Sequence, residues 1–269
     1  TILNICLYKN LAFLFQINFT MDDKILKLNP DNFELECTTV WSFARRGNWA
    51  THKSDWRGNW APEVVRNLIL RYSIEGDVLL DPMIGGGTTA IEAKILNRNC
   101  IYSDVNQEAL DRTKTLLKFK VTNKSWQKGF RWDARKLTKI KDGSIDFVLT
   151  HPPYVDIIKY SEGKISDDLS NIHNIEKFCD EMELVGKELF RVLKPGKYCA
   201  ILMGDTRRNT MYQPLAYKVM ERFLKVGFEL KEDIVKHQHN CKATGFWVNK
   251  SKEANFLLIM HEHLFVFKK

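Results

Sequence analysis

"GDVLLDPMIGGGTTAIEAKILN", residues 76–97, reads as a short buried strand, a turn of three consecutive glycines and the start of a helix. "GDVLLDP" is too apolar for a strand with one wet face, as in sheets covered on both sides. The glycines permit tight turns and close approach of backbone to a ligand, and the following helix presents unpaired N–H groups at its first turn. The spacing is neither G-x-x-x-x-G-K-[ST] nor a clean G-x-G-x-x-G, which disfavours a phosphate cradle or a standard dinucleotide site.

Outward from this stretch the same alternation repeats. "NCIYSDV" (99–105) is a second strand and "QEALDRTKTLLKFK" (107–120) a second helix; a third short element precedes "RWDAR" (131–135), and "SIDFVLTHPPY" (144–154) contains the fourth strand. Upstream, "APEVVRNLILRYS" (61–73) has Pro62 in a first helical turn and apolar residues at 64, 65, 68, 69 and 72, the spacing of an amphipathic helix. Downstream, "KFCDEMELVGKELFRVLKPG" predicts a helix with Gly196 in its C-cap region, "KYCAILMGD" a fifth strand and "YQPLAYKVMERFLKVG" a further helix. "FELKEDIVKHQ" and "NFLLIMHEHLFVFKK" predict an antiparallel strand pair at the sheet edge. The fold class is therefore α/β: a Rossmann-like, mostly parallel twisted sheet with helices on both faces and a C-terminal antiparallel pair.

The organisation expected is an early-start segment over 1–20, with Met21 as the biological start, an irregular arm over 21–60, and one domain over 61–269 with insertions near 155–176 and 206–250. Composition suits a folded globule: 269 residues, 44% hydrophobic, 28% charged and a formal net charge of +8, which favours acidic partners such as nucleic acid. The first twenty residues are too short and too polar to span a bilayer. The cysteines at 6, 37, 100, 179, 199 and 241 show no paired spacing, so reduced thiols in a cytoplasmic protein are expected, with no metal site.

Four successive strands end in a polar or glycine-rich feature, and in open α/β sheets ligands bind at the carboxyl ends of strands. After the first strand comes "DPMIGGGTT"; Asp104 ends the second, where a carboxylate can accept hydrogen bonds from ribose hydroxyls; Asp133 follows the third; and "THPPY" follows the fourth. The chain resembles the amino-directed DNA methyltransferases, which use S-adenosylmethionine to methylate cytosine N4 or adenine N6. The resemblance runs from about Trp41 onward and rests on "DPMIGGGTT", "YSDVN" and "THPPY". It implies that Asp81, Pro82, Gly85, Gly86, Gly87 and Thr88 surround the methionine part of the cofactor, that Asp104 holds its ribose and that Asp133 holds its adenine. "HKSDWRGNWAPEVVRNLI", with Trp60 and Pro62, looks like the family segment that packs on the methionine end.

The same resemblance makes His151, Pro152, Pro153 and Tyr154 the catalytic tetrapeptide, with the Tyr154 ring stacking on a base taken out of the helix. The family has Asp, Asn or Ser where this chain has His151. A neutral imidazole accepts one hydrogen bond and a protonated one accepts none, so activity is expected to fall as His151 titrates, around its reference pKa of roughly 6.5. No cysteine lies near the loop, which argues against cytosine C5 chemistry, where a thiolate must add to the ring.

The expectation is thus a site-specific cytosine-N4 DNA methyltransferase acting on double-stranded DNA beside a cognate restriction endonuclease. The alternatives are an adenine-N6 enzyme, an RNA guanine-N2 methyltransferase, and an inactive cofactor-binding, nucleic-acid-binding module. Arg45, Arg46, Arg57, Arg207 and Arg208 are candidates for phosphates or guanine edges.

Overall fold

A computed structural model describes residues 18–19, 25–239 and 244–269. The expectations for Met21 and for residues 1–17 lie outside the described residues.

Eight strands form one sheet: β1 (Val40–Ser42), β2 (Val78–Asp81), β3 (Asn99–Ser103), β4 (Gln127–Phe130), β5 (Ile145–Thr150), β6 (Leu193–Gly204), β7 (Glu229–His237) and β8 (His261–Lys268). Their order is β1-β7-β8-β6-β5-β2-β3-β4. β2 pairs in parallel with both β3 and β5, and the chain moves outward from β2 in opposite directions, through β3 to β4 and through β5 to β6. The carboxyl ends of β2 and β5 therefore flank the point where strand order reverses, the place such sheets keep for ligands.

Five α-helices cover the sheet: α1 (Pro62–Tyr72), α2 (Thr88–Ile95), α3 (Gln107–Leu116), α4 (Ile175–Val192) and α5 (Leu215–Val226). All six residues of β5 are buried, which is why it reads as a continuous apolar run. Leu79, Phe147 and Leu149 pack with α1 and α2 on one face. Leu80, Val148 and Ile201 pack with α4 and α5 on the other.

Three expectations shift. The C-terminal pair β7–β8 is antiparallel as expected, but it is not the edge, because β8 also pairs with β6 and the arm supplies β1 as a parallel neighbour of β7. Gly196 does not cap α4: the helix ends at Val192, Leu193 is already extended, and Gly196 lies within β6 with a φ of 74° and its N–H on the Lys269 carbonyl. Residues 206–250, read as an insertion, carry a short ribbon (Thr206–Arg208 with Met211–Gln213), α5 and β7, and enter a sixth helix, α6 (Thr244–Glu253). α6 buries none of its residues, so it lacks the apolar stripe that makes a helix legible.

Candidate active site

The glycine turn is pinned at its centre. The Ile84 N–H donates to the Ser103 carbonyl at 2.9 Å and the Gly87 N–H to Ile84 at 3.0 Å. Gly85 (φ 46°) and Gly87 (φ 88°) hold left-handed backbone, which glycine adopts without steric cost. Gly86 is needed for space instead: a Cβ there would lie 2.5 Å from the Asn59 side chain. Asn59 in turn accepts the Thr88 hydroxyl at 2.7 Å.

Asp81 is buried beneath this turn. It accepts the Met83 N–H at 3.1 Å and the hydroxyls of Thr89 at 2.6 Å and Thr150 at 3.0 Å, and burial pushes its carboxyl up to about 7. It ties the glycine turn to the end of β5 and does not line the cavity above. Asp104 does line it, accepting the backbone N–H of Gly85 at 3.0 Å and of Asn106 at 2.9 Å. Burial raises the Asp104 carboxyl to about 6.

The cavity is bounded by the glycine turn, Asp104, Asp133, His151 and Pro153, and flanked by Trp56, Asn59 and Trp60 of the arm and by Tyr160, Asp168 and Leu169. Of the predicted cofactor residues it collects Trp60, Pro82, Gly85, Gly86, Asp104 and Asp133; Asp81, Gly87, Thr88 and Pro62 stand behind it. Pro62 opens α1. Asp133 is already engaged: the Arg135 guanidinium donates to both its oxygens at 2.8 to 3.0 Å and also reaches Glu181 at 2.6 Å. A carboxylate oxygen left open lies on Asp168, whose Oδ1 takes the Ser170 N–H at 2.8 Å while the buried Oδ2 has no hydrogen-bond partner. Its sequence signal, an Asp-Asp pair in a polar stretch, is common to any turn.

Past β5 the two prolines hold "HPPY" extended, and Val155 then takes a φ of 54° while fully buried. A β-branched residue there costs on the order of 1–3 kcal/mol, borne only where the surroundings fix the loop. The Tyr154 ring lies against Gly204, where a Cβ would come within 2.5 Å of it. Its hydroxyl donates to Glu262 Oε1 at 2.8 Å and stands 2.5 Å from His151 Nε2. Lys236 completes the cluster, donating to Glu262 Oε2 at 2.8 Å. The His151 ring packs 5.8 Å from that of Trp60, and its buried Nδ1 has no hydrogen-bond partner. Burial, only partly opposed by Glu262, lowers the imidazole to about 4. The expected titration near neutrality is therefore corrected, because desolvation keeps the ring neutral well into the acid range.

The arginines divide. Arg46 donates through Nη1 to the carbonyls of Asn59 at 3.1 Å and Trp60 at 2.6 Å, fixing the cavity wall. Arg207 holds the carbonyls of Leu257 and Thr210, and Arg208 pairs with Asp156 at 2.6 Å. Arg45 and Arg57 are exposed. Asp205, His261 and His263 bring ligand-type atoms within 4.8 Å of one another, a grouping their sequence positions do not announce. His263 Nδ1 meets Asp233 at 3.0 Å and its Nε2 faces Asp205 at 3.7 Å.

This strand order, with a glycine turn after β2 and a carboxylate after β3 at the switch point, is the fold of the S-adenosylmethionine-dependent methyltransferases. Solved structures bear that out. TrmN from Thermus thermophilus is 21% identical with a TM-score of 0.53, over 79% of this chain and 50% of that one. A SAM-dependent methyltransferase from Methanosarcina mazei is 16% identical with a TM-score of 0.52, over 75% and 96%. The family of N6 and N4 DNA methylases matches residues 13–115 and 145–269, and the chain belongs to it. The methyltransferase domain described as RMKL-like matches residues 72–166.

Among curated relatives, the type II methyltransferase M.MjaI of Methanocaldococcus jannaschii is 27% identical over 51% of this chain and 54% of its own length. A probable tRNA (guanine(10)-N2)-dimethyltransferase of Methanothermococcus thermolithotrophicus is 30% identical over 56% and 88%. The chain spans about half the length of the first curated relatives it matches. Among the described residues no helix is long and apolar enough to cross a membrane.

The residues around the cavity fit S-adenosylmethionine, the family's cofactor: a half-buried carboxylate, Asp104, stands ready for hydroxyls, and Asp168 Oδ2 is a buried acceptor with no partner in the protein.

Proposed function

We propose that the chain methylates the exocyclic amine of a base in double-stranded DNA, cytosine N4 in preference to adenine N6, as the modifying half of a restriction–modification pair. The observation that carries this reading is His151 Nδ1, a buried ring nitrogen without a hydrogen-bond partner on a residue that borders the cavity. An amine N–H donated to that nitrogen would be held with its lone pair free to attack. S-adenosylmethionine, when bound, supplies a methyl group on a positively charged sulfur. The chain's own work is placement, which is worth many orders of magnitude in rate for a transfer between held groups.

In this reading Asp104 and the glycine turn hold the cofactor, Asp168 offers it a further acceptor, and Pro152 lends a carbonyl to the amine's second hydrogen. Tyr154, seated against Gly204, presents its ring to the base. The order Thr150-His-Pro-Pro-Tyr supports cytosine, being nearer the Thr-Ser-Pro-Pro-Tyr form associated with that base. A second reading, guanine N2 in RNA, is favoured by the tRNA methyltransferase relative, which matches along 88% of its length.

The test is incubation with methyl-labelled S-adenosylmethionine and either unmethylated DNA or total RNA, followed by nucleoside mass spectrometry. Labelled N4-methylcytosine is expected. N6-methyladenine would move the target while keeping the mechanism, label in RNA guanosine alone would install the second reading, and no label with cofactor bound would refute both.

A further inference from the structure

Glu262 stands on β8, far from the catalytic loop in sequence, yet it is 5% exposed and bonded into that loop. Its Oε2 accepts from Lys236, its cross-strand partner on β7, at 2.8 Å. Its Oε1 accepts from Tyr154 at 2.8 Å. Burial works against ionisation of Glu262, but the Lys236 ammonium and the hydrogen bonds from Lys236 and Tyr154 hold its carboxyl below the ordinary value, so it is a carboxylate and can only accept.

A phenol has one proton. Given to Glu262, it leaves the Tyr154 oxygen with lone pairs only, so the 2.5 Å contact with His151 Nε2 requires that nitrogen to carry the hydrogen. In a neutral imidazole the other nitrogen, Nδ1, then holds the lone pair. Were Tyr154 to turn its proton toward His151, the tautomer would invert and Nδ1–H would meet the amine donor with a donor.

We propose that Glu262, anchored by Lys236, is a positioning residue that sets the tautomer of His151 through the Tyr154 hydroxyl and so makes Nδ1 an acceptor for the substrate amine. This deepens the function proposed above and rests on it. It also accounts for a histidine where carboxylate, amide or hydroxyl side chains serve: those present an acceptor unaided, whereas an imidazole must be told which nitrogen to offer.

The inference is tested by ¹⁵N NMR of the cofactor-bound full chain, in which protonated and unprotonated ring nitrogens of His151 are separately resolved. Nε2–H is expected in the native protein and a shift toward Nδ1–H in Glu262→Ala, with kcat down about 100-fold, the scale of a lost acid–base or orienting contact. Methyl transfer by a native protein whose His151 carries Nδ1–H would overturn the proposal and leave the function standing. Nε2–H in a chain that methylates no base would overturn the function and with it the acceptor role, leaving only the tautomer assignment.

A second arm guards against a merely unfolded variant. In a His151→Ser background, where a hydroxyl has no tautomer, Glu262→Ala should cost less than 5-fold in kcat. An equal loss in both backgrounds would show that Glu262 acts through its hold on the Tyr154 ring or on folding, not through the His151 tautomer, and would overturn the proposal.

Discussion

Replacing Gly204 with alanine isolates the seating of the Tyr154 ring. The φ of Gly204 is not in the left-handed region, so alanine meets no backbone penalty there. The new Cβ would lie 2.5 Å from Cε2 and 2.8 Å from Cδ2 of Tyr154, whereas carbon atoms settle at about 3.5–4.0 Å. The ring must therefore retreat by about 1 Å, and it is tethered at both ends, by Pro152–Pro153 and by the Glu262 carboxylate. Overpacking of this kind costs about 1–3 kcal/mol, and a 1 Å misplacement in a positioned reaction costs about 100-fold in rate. Single-turnover transfer to DNA should slow by about that factor, while the cofactor Kd, measured by calorimetry, stays within about 3-fold because Gly204 does not border the cavity. A single-turnover rate within 3-fold of the parent would refute the argument that this contact places the ring.

Other outcomes follow from the buried carboxylates. Asp104, raised to about 6 by burial, accepts ribose hydroxyls most strongly as a carboxylate, so cofactor affinity measured by calorimetry should weaken by up to about tenfold between pH 8 and pH 5. At saturating cofactor, kcat should show no loss from His151 until the pH approaches about 4, the folded value; since that value lies below the unfolded one, the neutral ring's stabilising contribution is also present above about 6.5 and lost as pH falls toward 4. Asp168→Ala should weaken cofactor binding about tenfold by removing a charged acceptor, and an unchanged Kd would dismiss it as a ligand. Glu92, fully buried, joins Trp49 at 2.6 Å and His52 at 2.8 Å of the arm and Arg66 of α1 at 3.0 Å. Glu92→Leu would strand those donors and should cost about 3–5 kcal/mol in denaturant unfolding.

What the sequence made legible was whatever expresses itself locally. The apolar runs of β2 and β5, the glycine turn and Asp104 carry their signals within a few residues, and all fall where the alternation places them. Glu262 carries none, because its meaning depends on β8 being laid beside β6, which brings it to Tyr154 across a separation of 108 residues. Asp133 borders the cavity, as its place after the third strand predicts, but nothing in its sequence neighbourhood says that Arg135 already engages it. The titration of His151 was misjudged for a related reason: a reference pKa describes a wet imidazole, and burial of this one depends on Trp60, from another part of the chain.

The position of β8 bears on how the chain is made as well as on what it does. β7 and β1 join the sheet only through β8, which follows β6 by roughly 60 residues, or roughly 3 to 12 seconds at ordinary rates of translation. During that interval the Ile201 and Leu202 edge of β6 stands open on the nascent chain, the kind of apolar edge that recruits other strands. The half of the sheet that borders the cavity can form first; the strand that carries Glu262 closes it, so a chain released early would present that cavity before Glu262 reaches the Tyr154 hydroxyl.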